Sequence, residues 1–144
     1  MGFVIQMYGL FGFLSFNHMA WYYKSFEAWK AVFPYLKNNI FFAKIHEFDE
    51  KKLSLIIDAK IAQFKKIEFY EDETYQGVVI HKTTYGIFVD IGINFDWKGG
   101  SFVGMIHESN FKDREELESI ETDEKLNIIF WGSNKKKSDD FWFK

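Results

Sequence analysis

The sequence predicts an all-β fold, and three observations point there. Between Gly86 and Gly92, Ile87, Val89 and Ile91 share one parity, while Gly86, Phe88 and Asp90 share the other. Period-two alternation in a β-branched and aromatic run marks a half-buried strand. Short apolar runs are punctuated by glycines at 2, 9 and 12, which suit strands and turns better than a helix. The chain also carries 18 Phe, 7 Tyr and 5 Trp in 144 residues, so most rings must fill a core. That length suits one ordinary domain or two small barrels of about 70 residues each.

Taken in order, residues 3–8 read as a strand and Gly9-Leu-Phe-Gly12 as a tight turn. Ser25 to Phe33 reads as a short helix with Ser25 as N-cap and Glu27 in its first turn. Phe26, Trp29, Val32 and Phe33 carry the helical spacing, and Pro34, the only proline, should end or bend it. Ile40 to Phe48 and Leu53 to Asp58 form a hairpin around Asp49-Glu-Lys-Lys52. Residues 60–74 connect the halves, and Ile61, Phe64, Ile67 and Phe69 make that connector packed and not floppy. Strands follow near 75–83, 85–93 and 101–107, with Phe95 and Trp97 in a glycine-rich loop that serves as a contact surface or a lid. Asp113-Arg-Glu-Glu116 opens a short acidic helix with Leu117 and Ile120 inward. Leu126 to Trp131 and Asp139 to Lys144 are the last strands, joined by a polar turn with three consecutive lysines.

The stretch 75–109 resembles the RNA-binding repeat named after the largest protein of the bacterial small ribosomal subunit, the ribosomal S-one domain. The matching residues are Gly77 and Val79, then Tyr85-Gly-Ile-Phe-Val-Asp-Ile-Gly92, then Gly104-Met-Ile-His-Glu-Ser109. The resemblance implies a five-stranded OB barrel for residues 75–144. Residues 1–59 look like an incomplete OB-like repeat that begins at about its third strand. There the stretch to Asn17 resembles the family's Gly-Phe-Leu-Pro-x-Ser block, with Gly12-Phe13-Leu14 in register and Ser15 and Asn17 in place of the proline and serine. A truncated barrel leaves open edges that something must cover.

The resemblance further implies RNA as the partner, single-stranded or with exposed bases, and a cytoplasmic place in translation. Tyr85, Phe88 and His107 stand where the family puts its nucleic-acid-contacting residues. If Ile87, Val89 and Ile91 fill the interior, Phe88 faces out, and an outward ring can stack an unpaired base. Lys82 is a further candidate beside the aromatics. Lys135, Lys136 and Lys137 either hold phosphate or form a solvated turn. The alternative reading is an adaptor that docks its barrel on a ribosomal or transcription-machinery protein.

Charge and motifs narrow the classes. The formal net charge of −3 argues against a broad polyanion-binding field. Residues 1–60 hold seven lysines and five acids, while seven acids and one arginine crowd 113–124, so any RNA contact must be local. Absence of cysteine excludes a disulfide framework and fits a reducing compartment. Gly2 to Tyr23 lacks the positive lead of a signal peptide, and Gln6, Asn17 and His18 interrupt it as a spanning helix. His18, His46 and Asp49 lack metal-ligand spacing, and no P-loop, nucleophile elbow or Gly-x-Gly-x-x-Gly occurs. No enzyme, metal, cofactor or membrane role is expected.

Overall fold

Nine strands and two helices organise residues 1–37, 39, 42–133 and 141–144, which the computed structural model describes. In chain order they are β1 (Gly2–Met7), β2 (Leu10–Ser15), α1 (Phe26–Leu36), β3 (Lys44–Asp49), β4 (Ser54–Asp58), β5 (Thr74–Thr83), β6 (Gly86–Asp90), β7 (Val103–His107), α2 (Arg114–Ser119), β8 (Lys125–Ser133) and β9 (Phe141–Phe143). The fold is all-β. Two compact units form, each discontinuous in sequence: Met1–Tyr22 with Ile40–Phe64, and Tyr23–Asn39 with Lys65–Lys144. Helix α1 therefore belongs to the same unit as β5–β9.

In that second unit the strands close into a five-stranded barrel in the order β5-β6-β7-β9-β8, the OB arrangement. Only the β7–β9 pairing is parallel. Ile87, Val89 and Ile91 are 0 % exposed and meet Val79, Ile106, Ile128, Phe130 and Phe143 in the interior. Burying each such side chain stabilises the fold by about 1.5–3 kcal/mol. Leu117 of α2 is buried in the same cluster, and Ile120 packs against it. α1 packs against β5, and Val78 and Ile80 are buried along with Val79.

The helices keep the capping read from sequence. Ser25 Oγ accepts from the Ala28 N–H at 3.2 Å, and Asp113 Oδ1 from the Glu116 N–H at 2.9 Å. Pro34 does not end α1. It sits in the last turn, where a missing donor costs a single bond, and Lys37 N–H still reaches Phe33 O at 3.1 Å. The buried face is Ala28, Trp29, Ala31, Val32 and Leu36, so the small alanines turn Phe26 and Phe33 outward.

The stretch 91–95 is a 3-10 turn and not the end of a strand. Asp90 caps it, its Oδ1 accepting from the Gly92 N–H at 2.8 Å. Trp97 is 1 % exposed, so it closes the barrel end as a lid and offers no contact surface. Phe95 and Phe102 meet Phe69 of the connector at centroid distances of 5.8 and 4.9 Å, which fixes that connector against the barrel.

In the first unit the sheet order is β1-β2-β4-β3, with β2 and β4 parallel. The first turn falls at Tyr8-Gly9, both with positive φ, and not over residues 9–12. Gly12 lies inside β2, against Ile57. The expected hairpin forms as β3 and β4 around a turn in which Asp49 Oδ1 accepts from the Lys51 and Lys52 N–H groups at 3.0 and 3.1 Å.

A side chain at Gly92 has no room. A Cβ there would run into the Trp97 ring and stand 2.5 Å from Gly100 O. Gly92→Ala should lower the unfolding free energy by about 1–3 kcal/mol, read from urea midpoints, because the lid must lift to admit it.

Candidate nucleic-acid interface

Strand alternation and one irregularity build the aromatic face. With Ile87 and Val89 inward, Phe88 stands on the opposite side of β6 and is partly exposed. Across the β5–β6 pair, Val79 faces Val89 but His81 faces Phe88, so Ile80 is an extra residue on β5. That bulge aims His81 at the Phe88 ring, 5.9 Å away at 38°. Alternation alone gives no sign of a bulge, so it does not fix the side of His81.

Tyr85 occupies the β5–β6 turn, is 46 % exposed and meets the Phe88 ring edge-on at 6.5 Å. Gly86 follows with φ +155°, and a Cβ there would strike Ile106 O, so only glycine brings the turn this close to β7. Glu108 N–H donates to Tyr85 O at 2.8 Å and pins the turn. His107 lies across from Gly86 on β7. Its Nδ1 accepts from the Ser109 N–H at 3.2 Å, so in the neutral ring the proton sits on Nε2.

The structure thus brings Tyr85, Phe88 and His107 to one face and adds His81. Lys82 is placed differently. Its Nζ donates to Glu118 O at 2.9 Å and to Ile120 O, tying β5 to the end of α2. Lys135, Lys136 and Lys137 lie outside the described residues. Arg114, which the sequence reading did not single out, donates to Thr84 O at 2.6 Å beside Tyr85 and pairs with Glu118 at 2.8 Å and Glu108 at 3.5 Å. A recess of about 180 Å³ beside it is lined by Glu108, Ser109, Phe111, Asp113, Arg114 and Leu117. Two acids, Glu108 and Asp113, against one cation make that recess a poor seat for phosphate.

Beneath this face, Asp90 ends β6 in complete burial. Oδ1 accepts from the Gly92 and Phe102 N–H groups at 2.8 and 3.0 Å; Oδ2 accepts from Tyr23 Oη at 2.5 Å and from Ser101 Oγ. Burial raises its pKa, and the four hydrogen bonds lower it by less. No group of three or more potential metal ligands occurs among the described residues, and no described helix is long and apolar enough to cross a membrane.

No protein-family model matches the chain, and no curated protein matches it. Among solved structures it is similar to an uncharacterized protein, MJ1198, from Methanocaldococcus jannaschii, at 17 % identity and a TM-score of 0.43. The match covers 54 % of this chain and 93 % of that one.

The raised pKa of Asp90 gives a signed expectation. Folded Asp90 holds its proton more tightly than the unfolded chain does. Its stabilising contribution is therefore complete below the ordinary carboxylate pKa and is lost as pH rises through the folded value. Asp90→Asn cannot titrate. The stability difference between wild type and this variant should shift against the wild type from pH 4 to pH 8, as measured by urea unfolding at each pH.

Proposed function

We propose that the barrel binds RNA, single-stranded or with exposed bases, by stacking on Phe88. The observation that carries this reading is a partly exposed phenyl ring bracketed by His81 and Tyr85, on the strand whose other face is the aliphatic core. A base laid on Phe88 meets an edge-on tyrosine at one side and a histidine at the other. His107 Nε2–H, one strand away, donates to a phosphate or a base edge. Tyr85, Phe88, His81 and His107 form the contact set; Lys82 positions α2. The site works by binding and not by catalysis, in a cytoplasmic setting. Among the described residues few cations face it, so affinity is modest.

A second reading, an adaptor docking on a ribosomal or transcription-machinery protein, draws support from Trp131. Its ring is 59 % exposed on β8 and carries Lys144 Nζ 5.4 Å from its centroid. A complex that survives nuclease and high salt would favour it.

Fluorescence anisotropy with labelled single-stranded RNA decides the first reading. Phe88→Ala should weaken binding by about five- to a hundredfold, the worth of one stacked base, with the melting transition retained. Unchanged affinity in a folded variant removes the site.

A further inference from the structure

The first unit repeats the barrel strand for strand, minus one. Phe3 pairs with Leu14 and Val4 with Phe13, as Ile87 pairs with Ile106 and Phe88 with Met105. Leu14 pairs in parallel with Ile57, as Ile106 does with Phe143. The register shifts between Ile45 and Glu47 where it shifts between Phe130 and Gly132. Phe16 N–H reaches Met1 O at 3.1 Å, as Glu108 N–H reaches Tyr85 O at 2.8 Å. So β1, β2, β3 and β4 stand for β6, β7, β8 and β9; the expected start at the third strand is one strand too late. Among the described residues no strand takes the place of β5, which in the barrel pairs with both β6 and β8.

Burial records the gap. Ile87, Val89 and Phe130 are 0, 0 and 5 % exposed in the barrel. Their counterparts Phe3 and Ile5 are only half-buried, and Ile45 is 53 % exposed. Leu14 and Ile57, on the strands away from the gap, remain buried. β1 carries no charged side chain, so its free edge lacks the usual guard against pairing.

We propose that this unit is a strand acceptor, completed by an extended segment of another polypeptide inserted between β1 and β3. The chain's own intact barrel defines the occupant: an extended strand antiparallel to both edges, with a small and then an aliphatic residue inward, as Gly77 and Val79 stand in β5. Nucleic acid does not fit the role. The positions of Tyr85, Phe88 and His107 are held here by Met1, Val4 and Ser15. A second copy does not fit either. Its free edges, β1 and β3, already have a neighbour on one side, whereas the filler must be open on both.

The test uses the full chain and a fluorescein-labelled peptide with the sequence of β5, Thr74–Thr83. Saturable binding with slowed amide exchange in β1 and β3 is expected. Ile45→Glu in the protein, or Val79→Glu in the peptide, should cut affinity at least tenfold, while Val4→Glu on the outer face of β1 leaves it within twofold. The peptide variant keeps the test valid if the protein variant misfolds. Four outcomes overturn the proposal: no binding, protection confined to β6 and β8, displacement by single-stranded RNA, or concentration-dependent protection of β1 or β3 without peptide. RNA affinity measured on the same samples reports separately on Phe88.

Discussion

A buried carboxylate must find donors or stay neutral, and Asp90 has four donors from two segments. Two donors are backbone N–H groups of the 91–102 loop, one is a serine hydroxyl, and one is the Tyr23 hydroxyl from the segment leading into α1. Removing the carboxyl group would take a fully buried acceptor from two amides and two hydroxyls. The same atoms that end β6 therefore set the loop carrying the Trp97 lid and anchor the segment in front of the helix. Phe88 lies two residues earlier on that strand, so the pitch of the aromatic face depends on a group with no direct part in it.

Above that anchor, the outward side of β6 has been kept for rings while its charges have been spent elsewhere. Lys82 is bound to carbonyls at the end of α2, and Arg114 is shared among Thr84 O, Glu108 and Glu118. Stacking needs flat, half-dry faces more than it needs net charge, so the formal −3 of the chain is compatible with the proposed base-stacking role.

Much of this was legible in the sequence because its causes are local. The parity of Ile87, Val89 and Ile91 declares which way Phe88 points, and Ser25 and Asp113 announce their helices through their own side chains. What was hidden depends on partners distant in sequence. The bulge at Ile80 appears only when β5 is laid beside β6, and it decides where His81 goes. Trp97 could be a lid or a contact until Gly92 is seen to leave it room. Pro34 would break a longer helix but costs little in a final turn. Lys82 is a free cation on paper and a structural tie in space.

The two halves show how one hydrogen-bonding plan can serve two ends. Register, bulge position and the parallel pair are the same in both, so the backbone scheme does not decide what each half does. The difference lies in β5. With it, the inward residues are sealed, rings can be held outward on a rigid wall, and the surface is free to recognise something flat. Without it, Phe3, Ile5 and Ile45 keep part of their apolar area in water, and the backbone groups on two edges face outward together. A stacking platform on such a wall would gain little, and Met1, Val4 and Ser15 stand where the rings and the histidine would be. On the two proposals above, the residues at those three positions and the missing strand share one condition: an open barrel is suited to the main chain of a completing segment, and a closed one to what lies on its face.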